Sequence, residues 1–553
     1  MQPARTTRSD RLPFAAVEAC FLAYALLFIY RTSFVVAGRR YFSLFDDAMV
    51  SMRYARNVAQ GYGLVWNHGG PRIEGYTNPL WVLYMALVHR LGVPVSKVSL
   101  VIQLTGAALL AWNLDYVRRI ALTVASGSRA VALGAVLLTA AYLPINNWSL
   151  QGMEVGPLVL LTSASLWLAI QCMDSGAAPF RLYLLLAIGT LVRPDMVVLY
   201  LALLVFLVAF DARQRRRHLI WGLALLAAAV VGQTVFRVWY FGDLLPNTYY
   251  LKMAGVPLLL RVTRGLYVLL AFVLQTNVLF FGLAFAMAAG RDRRVWLLLW
   301  VLLAQIAYSV YVGGDAWEYW GGANRYICIA MPGFFVVLSL GLHTIVSASV
   351  NGVQTSWSLP GSLVRRWSFA LVVVCTIVAV NCIHGPSALA EALLIHPPLH
   401  TGRGDENDQD VEIALGLQQV TTADATIALT RAGTIPYFAD RAGVDLLGKT
   451  DAHVANLPAR MSAGPRRFIE FRPGHVKFDY AYSIGALQPD VIVNLWTHAE
   501  EARPLLRDRY QGILVAGRCV YARRASTRIV WNRAILDDCD DQPSHSSVTM
   551  TGR

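Results

Sequence analysis

Long apolar runs, parted by short polar stretches, fill the first two-thirds of the chain. They fall at 14–38, 97–118, 128–145, 153–173, 180–192, 194–211, 218–240, 264–290, 294–312, 326–349 and 366–385. A helix needs about 20 apolar residues to cross the hydrocarbon core of a bilayer, so this pattern predicts a polytopic α-helical membrane protein of eleven crossings. The runs 180–192 and 194–211 are short, and Pro194, which has no N–H to continue a helix, separates them. The stretch 79–92 is also apolar but too short to span. It reads as an amphipathic or re-entrant helix at the outer surface, as does 47–60, where Met49, Met52, Ala48 and Ala55 recur at helical spacing. After about residue 386 prolines, glycines and charges become common, and strand-like runs appear at 425–429, 490–494 and 513–521. About 165 residues suffice to bury a core, so 386–553 reads as a soluble α/β domain with a polar, disordered tail from about 537. Residues 1–385 form the transmembrane domain, and 39–96 its first outer loop.

Charge fixes the orientation. Charged residues make up 15% of the chain and the net charge is +14, far fewer charges than the roughly 25% of a soluble domain. The basic excess sits in short loops: Arg5, Arg8 and Arg11; Arg118, Arg119 and Arg129; Arg213, Arg215, Arg216 and Arg217; Arg291, Arg293 and Arg294; Arg365 and Arg366. Cytoplasmic loops carry such an excess, and eleven crossings put every cluster on that side. Counting 79–92 as a crossing would scatter them. Only Arg39 and Arg40 fall on the outer side. The excess therefore signals topology and contact with anionic lipid rather than nucleic acid. The seven cysteines include no CxxC spacing, which indicates no metal site. Cys519 and Cys539 are candidates to pair outside the membrane.

With the orientation set, the unusual polar sequences all lie on the outer face: FDDAMVSMRYARN (45–57), EGYTNP (74–79), NNWSLQGMEVG (146–156), VRPD (192–195), YFGDLLPNTYYLK (240–252) and YVGGDAWEYWGGANRY (311–326). Ionisable residues near an apolar region serve function or pair with one another. Asp46 and Asp47 are either a helix cap or an acidic site. Glu74, Tyr76, Asn78, Glu154, Asp195, Asp243, Asn247, Asp315, Trp317 and Glu318 are the candidates for contacting substrate, the aromatic ones by stacking on sugar C–H faces. Each has a plainer reading as a turn, a local ion pair or an interfacial belt. A transporter would place its polar groups near the midplane. Loops on one face suit an enzyme that takes a lipid-borne substrate from one leaflet.

The runs FDDAMVSMRYARNVAQGYGLVWN and EGYTNPLW resemble the first outer loop of the GT-C class of glycosyltransferases. GMEVGPL, VRPDM, YFGDLLPNTYYLK, YVGGDAWE, AGTIPYFADRAGVDLLGKTDAHVA and PGHVKFDY are similar to the same subgroup, closest to the terminal β-(1→2) arabinofuranosyltransferase family of the actinobacterial cell wall. The resemblance covers most of the chain. It implies a GT-C fold in a bacterial cytoplasmic membrane, a polyprenyl-phosphate-sugar donor, an envelope glycan acceptor and an active site facing the periplasm. The family's essential carboxylate falls on Asp46, with Asp47 beside it. Mannose or aminoarabinose transfer to lipid or protein, or a lipid-linked sugar flippase, is the alternative. For such chemistry a carboxylate takes the acceptor proton, or attacks the anomeric carbon if configuration is retained. Cations must meet the leaving phosphate. Arg53, Arg56, Arg193, Arg237, Lys252 and Arg325 are the candidates, with Arg39 and Arg40 further outer-face cations. No cofactor is obligatory, and a divalent cation is possible. In the tail, Tyr437, Asp445, Asp451, His475, Lys477 and Asp479 are candidates for holding the acceptor.

Overall fold

The computed structural model describes residues 8–316, 324–352, 361–381, 407–461 and 467–537, with Leu394, Gly464 and Cys539. It divides into two compact units. The first comprises Met1–Arg31, Gln103–Gln233 and Leu258–Leu399. The second comprises Thr32–Ile102, Thr234–Pro257 and His400–Arg553. The first outer loop and the 234–257 segment therefore group with the C-terminal residues, rather than with the helical bundle.

The first unit is a helical bundle. Among the described residues eight helices are long and apolar enough to cross a membrane, and the bent pair Arg129–Ala140 and Leu143–Leu150 makes a ninth if taken as one span. Hydrogen bonds identify the bundle's two ends. Arg294 reaches Asp174 (3.0 Å) and the carbonyl of Thr123 (3.1 Å), Arg293 the carbonyl of Phe210 (3.1 Å), and Gln214 that of Ala177 (3.1 Å). At the other end Arg193 meets Glu154, and Asn381 accepts from the Leu143 N–H (2.8 Å). The short helices Pro179–Val192 and Met196–Phe210, of 14 and 15 residues, also run between these two ends. All the described Arg loops gather at the first end, because Arg118 stacks over Phe14 near the start of helix Arg8–Arg31, and helix Gly361–Asn381 begins opposite Asn381.

Three apolar runs differ from single straight helices. The 128–145 run bends by 49° between Ala140 and Leu143. The 264–290 run is two helices, Leu258–Thr276 and Val278–Ala286, parted by Asn277 at φ 86°, whose side chain accepts from the Leu279 N–H. A β-carbon is strained in that left-handed region, so the helix restarts there with Asn277 as its cap. The 326–349 run begins with a separate turn, Arg325–Cys328, before helix Met331–Gly352.

The second unit opens with a hairpin, β1 (Phe34–Val36) and β2 (Arg39–Tyr41), turning at Ala37 and Gly38 with φ 49° and 76°. Helices Asp46–Ala59 and Pro79–Arg90 follow and pack on one another. The C-terminal part is α/β. Strands β3 (Thr426–Leu429), β4 (Ala442–Asp445), β5 (Val491–Ile492), β6 (Tyr510–Val515), β7 (Arg518–Arg523) and β8 (Ile535–Leu536) form one sheet in the order β4-β3-β5-β7-β6-β8. The first three are parallel and the rest antiparallel. The 513–521 run is a hairpin rather than one strand, since Ala516 and Gly517 reverse the chain at φ 50° and 72°. Ala428, Leu446, Phe478, Ile484, Ile492 and Tyr510 fill the core on this sheet. Cys519 and Cys539 form a disulfide, with Cα atoms 5.7 Å apart. The rest of the tail expected to be disordered lies outside the described residues.

Candidate functional site

Helix Asp46–Ala59 starts with its acidic pair inside the first turn, and its N-cap, Phe45, offers no side-chain acceptor. Asp46 is therefore not the cap of its own helix. Its Oδ1 accepts from the backbone N–H of Thr434 (2.8 Å), at the start of helix Thr434–Ala439. Gly433 makes the approach possible, because a β-carbon there would sit 2.1 Å from the Asp46 carbonyl oxygen. Asp47 turns to Lys449, whose Nζ lies 2.5 Å from its Oδ1, both side chains about three-quarters buried.

Lys449 is presented by a tightly built loop. The Asp445 carboxylate at the end of β4 accepts from the N–H groups of Leu447 (2.9 Å), Gly448 (3.2 Å) and Thr450 (2.7 Å) and from the Thr450 hydroxyl (3.1 Å). The Asn247 amide donates to the carbonyls of Gly448 (2.9 Å) and Lys449 (3.0 Å). Asn247 begins the short helix Asn247–Lys252, and Lys252 ends it. The Lys252 stem lies against Gly474, where a β-carbon would come within 3.3 Å of it. Next to Gly474, burial holds the His475 imidazole at about 4, with Asp47 acting to raise it and Lys252 and Arg472 to lower it further. Asp47, Lys449, Lys252, Arg472 and His475 thus form one polar cluster within this unit.

Several candidates do other work. Arg53 donates to the carbonyls of Trp66 (2.6 Å), Pro436 and Arg441 (2.7 Å) and to Asn67 (3.0 Å). Arg56 donates to the Tyr437 carbonyl (2.8 Å) and pairs with Asp440 (2.5 Å). Arg237 pairs with Glu74 (2.5 Å), both buried, and burial raises the Glu74 carboxyl against the pull of Arg237. All three arginines, and the Glu74 carboxylate, are thus bonded within the protein. Tyr76 is buried against Tyr54, and Asn78 accepts from the Ser51 hydroxyl. Asp243 is exposed. Arg40 donates to Ser33 within the hairpin.

In the C-terminal part, Tyr437 is buried with its hydroxyl on His89 (2.9 Å). Lys477 is buried too, and its ammonium donates to the carbonyls of Tyr250 (2.9 Å), Ala254 (2.9 Å) and Ala455 (2.8 Å). These two and Asp445 are bonded within the fold. Asp451 and Asp479 stay near the surface beside Tyr482 and His453.

The helical unit holds a second cluster, at the end away from the Arg loops. Arg193 bridges Glu154 (2.6 Å) and Asp195 (2.9 Å) and lies over the Tyr326 ring. Arg325 binds Asp315 through two nitrogens (2.5 and 2.8 Å) and lies over Trp148. Buried pairs of this kind specify an arrangement more than they add stability. Arg193 and Arg325 are thereby committed to carboxylates. Trp317 and Glu318 lie outside the described residues. Among the described residues no three His, Cys, Asp or Glu side chains converge as metal ligands.

Sequence reading missed Lys449, Arg472 and the fixing role of Asn247. A signal was present: only four of the 48 basic Lys and Arg residues are lysines, at 97, 252, 449 and 477. Two of the four, Lys252 and Lys449, belong to the cluster around Asp47.

Residues 400–532 match a family model described as a domain of unknown function (DUF8728). The chain is 30% identical over 228 residues to the terminal β-(1→2)-arabinofuranosyltransferase of Mycobacterium tuberculosis. That match spans 38% of this chain and 35% of the relative's length. Among solved structures, ArnT from Cupriavidus metallidurans bound to undecaprenyl phosphate is similar with a TM-score of 0.55 and 14% identity, over 92% of this chain and 98% of that one. The Archaeoglobus fulgidus oligosaccharyltransferase is similar with a TM-score of 0.55 and 11% identity, over 93% of this chain and 75% of that one. These likenesses identify the fold as that of the GT-C glycosyltransferases, in a multi-pass membrane protein.

Proposed function

We propose that the chain is a glycosyltransferase that moves arabinofuranose from a polyprenyl-phosphate donor to an envelope glycan, on the outer face of a bacterial cytoplasmic membrane. The observation that carries this is an acidic pair set beside a cation in one compact unit: Asp46 with its neighbour Asp47, which pairs with Lys449, while Asp47, Lys252 and Arg472 all lie in electrostatic reach of His475. Glycosyl transfer from a phosphate needs that combination. The bond between the anomeric carbon and the phosphate oxygen breaks, and its electron pair leaves with the phosphate. The acceptor hydroxyl oxygen bonds to the anomeric carbon, and its proton passes to a carboxylate. A base that takes the proton is worth about 10²–10⁴-fold in rate, and cations aimed at the leaving oxygen stabilise the charge that develops there. Asp46 is the base in this reading, and the backbone N–H of Thr434 fixes its orientation. The partial match to the arabinofuranosyltransferase favours that sugar.

The test is Asp46→Asn in proteoliposomes, supplied with a radiolabelled polyprenyl-phosphate arabinofuranose and an arabinan acceptor. The expected result is a loss of at least about 10²-fold in transfer. Transfer at the wild-type rate would remove Asp46 from the chemistry.

A further inference from the structure

Of the cations expected to meet the donor phosphate, Arg53, Arg56, Arg193, Arg237 and Arg325 all have guanidinium nitrogens bound to carbonyls or carboxylates of the protein. Lys449 differs. An ammonium group carries three N–H donors, and among the described residues that of Lys449 has a single partner, Asp47. Two donors remain on a group about three-quarters buried beside the acidic pair. Asp445 and Asn247 fix the backbone on both sides of it, and the Asp47 carboxylate holds its ammonium.

We infer that Lys449 binds the phosphate of the lipid donor, held in place by Asp47, so that the domain of unknown function at 400–532 supplies part of the active site. This rests on the proposed polyprenyl-phosphate reading and assigns the anion-binding role within it. One N–H stays on the Asp47 carboxylate while a second meets a phosphate oxygen. When the anomeric carbon–oxygen bond breaks, the departing phosphate gains a negative charge within reach of that ammonium. Asp47 is then a positioning residue, one step removed from the phosphate, and Asp46 is left for the acceptor proton. Lys252 and Arg472 reinforce the positive potential of the same cluster.

The experiment uses the full chain in lipid nanodiscs and measures binding of undecaprenyl phosphate, with undecaprenol as the uncharged control. A charge-assisted hydrogen bond to phosphate is worth roughly 10- to 100-fold in affinity. Lys449→Met should weaken undecaprenyl phosphate binding by about that factor and leave undecaprenol binding unchanged, while Lys449→Arg should recover most of the loss. Should Lys449→Met fold poorly because it strands Asp47, the double variant Asp47→Asn with Lys449→Met removes both charges and answers the same question. Wild-type affinity in either variant would overturn the assignment alone. Failure of the wild-type chain to prefer undecaprenyl phosphate over undecaprenol would overturn the donor reading and this inference together.

Discussion

A buried lysine ammonium surrounded only by carbonyl oxygens is an expensive way to fasten a backbone, and Lys477 is one. Burial lowers its pKa, but three short bonds to Tyr250, Ala254 and Ala455 hold the end of helix Asn247–Lys252 against the C-terminal part. Lys477→Met would leave three carbonyls without a donor. Each unmet buried polar group costs about 1–3 kcal/mol, offset in part by no longer burying a charge, so the net loss should be about 2 kcal/mol. A lowered thermal midpoint with undecaprenyl phosphate affinity retained is the expected outcome. His475 gives a pH signature. Its imidazole, near 4 in the fold, sits below the 6.5 of a free histidine, so the unfolded chain binds its proton first. The stability that neutral His475 contributes is complete above about pH 6.5 and is lost as pH falls towards 4, at up to roughly 1.4 kcal/mol per pH unit. His475→Gln should flatten the decline in unfolding midpoint between pH 6.5 and 4.5. At this scale the sequence was least legible. Nothing near Arg53 shows that its donors are spent, because its partners Pro436 and Arg441 lie 383 and 388 residues away.

The elements were more legible, because period and punctuation are local. The two helices of the first outer loop begin at Asp46 and Pro79, one residue before and at the expected starts of 47–60 and 79–92. What failed were breaks carried by single residues with no strong turn signature: Asn277 in an apolar run, and the Ala516–Gly517 reversal inside what reads as one strand. The acidic pair was visible, but the element that meets it was not. The start of helix Thr434–Ala439 reaches Asp46 only because Gly433 has no β-carbon. Gly433→Ala should therefore displace that helix or the pair, and lower transfer by at least tenfold while the chain still folds. Transfer assays paired with near-ultraviolet circular dichroism would check both halves of that expectation. In the sheet, the Asp490 carboxylate is buried and joins β3, β5 and β7 through Thr426, Arg523 and Ser526. Those bonds outweigh burial and hold it near 2. Asp490→Ala should cost about 3 kcal/mol, read as a large fall in the unfolding midpoint.

For the whole molecule, the bias of basic residues is the physical signal from which an orientation is read. The bundle adds an independent constraint. Arg293 and Arg294 reach carbonyls or carboxylates at the ends of helices Met196–Phe210, Val95–Val124 and Val155–Ser175, so the loops near 125, 176, 212 and 291 must lie on one side of any membrane that the bundle crosses. Loops at the Glu154 and Arg193 end must lie on the other. A map of accessibility therefore has to come out in two consistent sets. On a background in which Cys20, Cys172, Cys328, Cys375 and Cys382 are replaced by serine and the Cys519–Cys539 disulfide is kept, Arg216→Cys should resist a membrane-impermeant maleimide in spheroplasts and react after permeabilisation. Asp243→Cys, at the exposed turn after helix Arg215–Phe241, should react at once. Immediate labelling at 216 would reverse the orientation and move the proposed transfer to the cytoplasmic face. Labelling at 212 and 291 on opposite sides would break the bundle's own geometry, since a single arginine pair ties those loops together.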